Sequence, residues 1–384
     1  MIAVYDRVRD RMLASDPELA RFHHATRSTL ACLVTAALCI GWLVEHHRPI
    51  TFAAPATLFA MIAPLFLRDR HLSGWLVSLG LLYFCTCASF ALSALAAPHP
   101  VLRGALLLTI VYAGMLCHAL APRAAGSALL ALVAFYLGLY LHPSRDVLHA
   151  MLALCTVAPL VVGGVGRVLL PPKGVDPSPR APARARDFHS RLSHTVNECK
   201  TRMHNQLEAL ARHRHHLAWR PAALAAVAAL LALLAGDEMS TERSMWAVIS
   251  TFVVFLGTHS REGTLARVGK RLVGTFAGAA ASVLLVALFR GEPYVLVALM
   301  AVSVFGWAYF ILHAYTRGVF FITLLVGLVY GQLGFAIVAL AVLRTEEVVL
   351  GCLIAFALSM LLMPSSARAA ILAQPQRLAA PRSR

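Results

Sequence analysis

The chain has 384 residues, 59% of them hydrophobic and only 14% charged, with a mean hydropathy of +0.72. Soluble domains carry about 25% charged residues, so this composition excludes an ordinary soluble enzyme and implies a membrane protein of several spans. The formal net charge of +16 would suggest nucleic acid in a soluble chain. Here the cations fall in loops and tails without a base-reading motif, where they set orientation and attract anionic lipid.

Residues 1–27 read as a polar, cytoplasmic lead-in with no apolar core of a cleavable signal, so the first membrane helix is expected to act as an uncleaved one. Residues 28–170 hold six apolar runs, near Ser28–Val44, Ile50–Leu67, Leu72–Ala97, Leu102–Ala121, Gly126–Leu141 and Val147–Leu170. Short loops carrying Pro, His and Arg separate them. A span needs about 20 apolar residues, so the shorter runs have uncertain ends. Seven of the eight cysteines lie inside apolar runs, no C-x-x-C pair occurs, and packing rather than disulfide chemistry is expected of them.

The connector, residues 171–219, is basic and His-rich. Its second part predicts a helix from about Arg186 to His213, because Phe188, Leu192, Val196, Cys199, Met203, Leu207 and Leu210 make one narrow apolar stripe. That stripe suits packing on protein or on a membrane surface. His213, His215 and His216 lack a carboxylate or thiolate partner at helical spacing, so no metal site is expected.

Residues 220–363 hold six more runs, near Pro221–Ala235, Met245–Gly257, Leu272–Phe289, Val295–Leu312, Gly318–Val342 and Val348–Met363, and residues 364–384 form a basic tail. The second of these runs is short. Six spans per half put both halves in one orientation. The expected fold is therefore an all-α membrane protein of twelve helices, two parallel six-helix repeats joined by a basic cytoplasmic helix. With both termini and the connector inside, the outer loops hold only Arg48, Arg103, Arg145, Arg243, Arg290 and Arg344 of the 34 Lys and Arg, which leaves 28 inside. The reverse orientation would break the positive-inside rule.

Two stretches carry candidate chemistry. In Arg261–Gly278 a basic loop runs into a helix whose Gly274, Gly278 and Ser282 share one face, a pattern that permits close helix contact. Arg267 and Arg271, four apart, could orient that helix, grip lipid phosphate or meet an anionic solute. In Leu343–Gly351, Arg344, Glu346 and Glu347 open the last helix. Charges so near hydrocarbon are costly and usually face a bundle interior. Glu346 and Glu347 diverge by about 100° on a helix, and Arg344 and Glu347 could form a plain intrahelical pair. No Walker A, G-x-S-x-G or H-E-x-x-H motif occurs, so neither enzyme activity nor a cofactor is expected.

Together these residues resemble the fusaric acid resistance protein-like family, which includes aromatic acid exporters. The resemblance rests on Arg220-Pro221, Trp246, Arg267, Arg271-Leu272, Gly274-Thr275, Gly278, Thr323, Arg344-x-Glu346 and Gly351, and covers about residues 220–363. The first half fits by helix pattern alone. Val348 and Val349 stand where the family commonly has a threonine before its glycine. The resemblance implies an inner-membrane transporter that exports aromatic carboxylates of the fusaric acid or hydroxybenzoate type, in some members with a periplasmic adaptor. A homo-oligomer is a further expected partner state; nucleic acid is not.

The leading expectation is proton-coupled export of small organic anions, against a passive anion channel or a non-transporting scaffold acting through the connector. The expected substrate site is a cavity between the halves. An aromatic carboxylate needs an apolar slot for its ring and a cation for its carboxylate. Trp246, Tyr309 and Tyr315 are the candidates for the slot, Thr323 for a polar residue of the lining, Arg344 for the cation, and Glu346 for the proton-linked carboxylate that competes for it.

Overall fold

In the computed structural model the described residues are 16, 19–170 and 219–365, apart from 17–18, 68, 70–71, 121–123, 240–244, 259 and 364. The expected connector helix and the basic tail lie outside them. The described chain is helical throughout. The first half contributes α1 (Ala20–Glu45), a 3-10 turn (Ile50–Ala53) leading into α2 (Ala54–Phe66), α3 (Leu72–Ala96), α4 (Pro100–Leu120) and α5 (Ala124–Leu141). Its last helix, α6, is broken at Thr156 into Arg145–Cys155 and Val157–Gly164, with a π turn at Val165–Leu169. The second half contributes α7 (Trp219–Met239), α8 (Met245–Phe255), α9 (Arg261–Leu288), α10 (Pro293–Phe310), α11 (Tyr315–Gln332) and α12 (Ile337–Leu362). The twelve expected helices are thus present, and seven of them are long and apolar enough to cross a membrane.

The outward faces support that reading. Phe84, Leu284 and Leu361 are about as exposed as surface lysines would be in a soluble bundle, at 69%, 65% and 74%. A soluble helix puts its polar face outside; here large apolar side chains point out as well as in, as suits lipid.

The helices form two compact units. Among the described residues, the first comprises those up to 98 and from 117 to 170, the second those from 99 to 116 and from 219 on. Most of α4 therefore goes with the second half of the chain, where a side chain at Gly104 would touch Leu233. In the first unit, α3 and α5 approach so closely that a Cβ on Gly138 would lie 2.7 Å from the Phe90 carbonyl oxygen. Phe90, Ala134, Leu148 and Met151 form a buried cluster beside that contact. Ser28 on α1 donates to the Met61 carbonyl on α2, and Arg27 Nε donates to the Leu170 carbonyl at 2.7 Å.

The second unit is organised on the glycine face expected of α9. A Cβ at Gly274 would come within 2.6 Å of the Thr316 carbonyl oxygen and 2.8 Å of Val319 Cβ; one at Gly278 would meet the Phe320 carbonyl at 2.6 Å and Thr323 Cβ at 2.8 Å. One turn further, Ser282 sits against Gly327 of α11. Small residues thus let two backbones meet where no hydrophobic force from water drives them together. Gly351 does the same for α12, where an added Cβ would lie 2.9 Å from Ser250 Cβ on α8. Gly278→Leu is expected to lower the yield of folded protein, because overpacking costs about 1–3 kcal/mol and backbone stands in the way. Monodisperse yield after detergent extraction measures this; an undiminished yield would place the face toward lipid.

Candidate functional site

α8 has 11 residues, so at 1.5 Å per residue it covers about 16 Å, half of a 30 Å hydrocarbon core. Its first backbone N–H groups therefore need acceptors at depth. Glu347 of α12 supplies one: its Oε2 accepts from the Trp246 N–H at 3.1 Å. Glu347 is 1% exposed. A carboxylate there is favoured twice, by the hydrogen bond and by the positive end of the α8 dipole.

One helical turn before Glu347, Arg344 is also buried. Its guanidinium carbon lies 3.9 Å from the centre of the Trp246 ring, a distance at which a desolvated cation–π pair forms. The Trp246 backbone thus serves Glu347 and its ring serves Arg344. Arg344 Nε and Nη1 are buried without a hydrogen-bond partner among the described residues. Arg344 also lines a narrow cleft with room for about one water molecule. The cleft walls are Ser282, Thr323 and Tyr330 on the polar side, with small and aliphatic residues of α9, α11 and α12. Its described lining contains no carboxylate. A buried cation facing hydroxyls and hydrocarbon has the chemistry to meet an anion with an apolar body, which needs more room than the cleft has in this form.

A second arginine cluster stands on the same helix. Arg271 of α9 is buried; its Nε donates to Ser250 Oγ at 3.1 Å and its Nη1 to the Tyr315 hydroxyl at 3.3 Å. Arg267 donates through Nε to the Val253 carbonyl at 3.1 Å and lies 4.4 Å over the Tyr315 ring. Ser250 in turn donates to the Trp246 carbonyl.

Of the candidate residues, Trp246 and Arg344 are in contact, and Thr323 lines the same cleft as Arg344. Tyr315 belongs to the Arg267–Arg271 cluster. Tyr309 is buried elsewhere, edge-on to Phe310 and stacked with Phe305. Thr275 is buried on the glycine face of α9. Glu346 is exposed, and the buried carboxylate is Glu347. The cause is helical phase: two residues on, Glu346 points about 200° from Arg344, whereas Glu347, Val348 and Gly351 follow at steps of three, four and seven on its own face. That periodicity was the signal for Glu347. Tyr330 enters the cleft without a charge or motif to single it out, whereas Ser282 is marked in the sequence only as a small residue on the glycine face of α9. The cleft itself lies within the second unit.

Residues 213–358 match the family model described as fusaric acid resistance protein-like. The second half of the chain is thus similar to that family. The match spans every residue of the two clusters on α8. The first half of the chain falls outside the matched span. No curated protein and no solved structure matches the chain.

Proposed function

We propose that the protein is a proton-coupled secondary transporter of the inner membrane that exports small organic anions, in particular aromatic carboxylates. The observation that carries this reading is Arg344: a buried guanidinium, stacked on Trp246, with two unpartnered nitrogens beside a small, otherwise uncharged cleft. Arg presents a planar fork that matches a carboxylate, while the Trp246 ring and the aliphatic cleft wall suit an aromatic ring. The match of residues 213–358 to the fusaric acid resistance protein-like family model supports a transporter. The absence of a Walker A motif from the sequence leaves ion gradients as the drive. In this reading both termini and the connector are cytoplasmic, the two halves descend from one six-helix repeat, and assembly with itself or a periplasmic adaptor serves the export route.

The assay is efflux from proteoliposomes loaded with 4-hydroxybenzoate, with the voltage clamped and the outside made acidic. Efflux above that of protein-free vesicles is expected, and a protonophore should remove it. Efflux that persists with the protonophore would make the protein a passive anion channel. No efflux under any gradient would leave the scaffold reading.

A further inference from the structure

We propose that one face of α8 carries a ladder of three arginines, and that its inner pair, Arg267 and Arg271 around Tyr315, is a second anion site that hands the substrate carboxylate to Arg344. This rests on the export reading above and adds a site to it.

Trp246, Ser250 and Val253 lie on one face of α8 at steps of four and seven. Each holds one guanidinium: Trp246 that of Arg344 through its ring, Ser250 that of Arg271 through its hydroxyl, and Val253 that of Arg267 through its carbonyl. The rungs are therefore spaced by about 6 Å and 4.5 Å along the helix axis. Such spacing is shorter than the span of a small aromatic acid, so a carboxylate can approach one rung before leaving another.

The inner pair has the features of a receptor rather than of a fastening. Arg267 and Arg271 are one turn apart on α9, where like charges repel, and burial sharpens that cost. Among the described residues their partners are a serine hydroxyl, a backbone carbonyl and one tyrosine, all uncharged. Neutral acceptors fix the direction of a guanidinium without cancelling its charge. Both are anchored through Nε, which leaves the Nη edge of Arg267 available for a bidentate oxyanion. α11 starts at Tyr315, so the positive end of its dipole meets the same point. Tyr315 offers its ring as a platform and its hydroxyl as a hinge between the two cations. From the start of α9 the two arginines lie about 9 Å and 15 Å along the helix, on the side that the charge distribution makes cytoplasmic. An anion leaving the cytoplasm reaches this pair first.

The chemistry fits an oxyanion, whether a solute carboxylate or a lipid phosphate, and the test separates them. Equilibrium binding of radiolabelled 4-hydroxybenzoate is measured on the full chain in nanodiscs of phosphatidylcholine, for wild type, Arg344→Gln, Arg271→Gln and the double variant. Arg344→Gln is expected to keep residual binding, and the double variant to lose at least tenfold of that residual affinity. Arg267→Gln, whose side chain is only half-buried, replaces Arg271→Gln if the latter is not recovered folded. Complete loss of binding in Arg344→Gln alone, or residual binding unchanged by the inner substitution, overturns the second site while leaving the Arg344 site standing. No binding to wild type would instead sink the export reading. In nanodiscs containing phosphatidylglycerol, native mass spectrometry shows whether a lipid is held. Lipid retained by wild type and lost in Arg271→Gln, together with suppression of the residual benzoate binding, would assign the inner pair to lipid and overturn the hand-off.

Discussion

Arg344→Lys is expected to raise the KM for 4-hydroxybenzoate efflux by about ten- to a hundredfold while the protein remains at normal abundance. The substitution keeps the positive charge and removes two things the structure uses. One is the flat guanidinium that lies 3.9 Å over the Trp246 ring; an ammonium is a compact point charge without a plane to stack. The other is a pair of buried, unpartnered donors, Nε and Nη1, on different edges of the guanidinium. A carboxylate can take a charge-assisted hydrogen bond from either. Hydrogen bonds to charged groups contribute about 1.5–3 kcal/mol each, so the loss of one accounts for the stated range. An arginine that only snorkels to the outer interface would tolerate lysine, but Arg344 is buried beneath α8 rather than reaching for a surface. Saturation curves from proteoliposomes, normalised to folded protein by size exclusion, decide between them. An unchanged KM would remove Arg344 from the site and leave the family-level function intact.

The sequence made the spans and the glycine face legible because both are periodic. Long apolar runs report lipid, and Gly274, Gly278 and Ser282 at steps of four report one helix face whatever it packs against. The partner of that face, α11, is a tertiary fact: Thr316, Val319 and Thr323 carry no mark that pairs them with α9. Arg344 was legible because a charge near hydrocarbon is costly enough to demand a reason. Glu346 and Glu347 were both costly in the same way, and only helical phase tells them apart, once the helix is known to be continuous from Ile337. Trp246 was visible as a family residue, yet its double use, with ring to Arg344 and N–H to Glu347, depends on where α8 begins. Tyr309 shows the opposite case. An aromatic side chain in a membrane helix is usually packing, and Tyr309 packs against its own helix neighbours. The place of α4 with the second unit had no sequence signal, because short loops allow several neighbours.

Glu347→Gln is expected to abolish proton-driven efflux while leaving exchange of labelled for unlabelled 4-hydroxybenzoate across the membrane. The reasoning starts from the cap on α8. Ionised, Glu347 accepts the Trp246 N–H at the positive end of the helix, a charge-assisted bond about twice as strong as a neutral one. That bond holds the residue whose ring supports Arg344. A proton arriving at Glu347 from outside weakens the bond, loosens the start of α8 and frees the anion, so proton entry accompanies anion exit. Simple repulsion between ionised Glu347 and a bound carboxylate would act in the other sense, since protonation would then tighten anion binding and move both outward together. The exchanger therefore depends on the cap and not on the charge alone. Glutamine keeps an oxygen that can accept from Trp246 but cannot take up the proton, so the site still fills and empties while the coupling is lost. Glu346→Gln, on the exposed face of the same helix, should leave both activities near normal and serves as the control. Loss of exchange as well as efflux in a well-folded Glu347→Gln would make the residue a structural cap only. Retention of full proton-driven efflux would show that the coupling proton binds elsewhere.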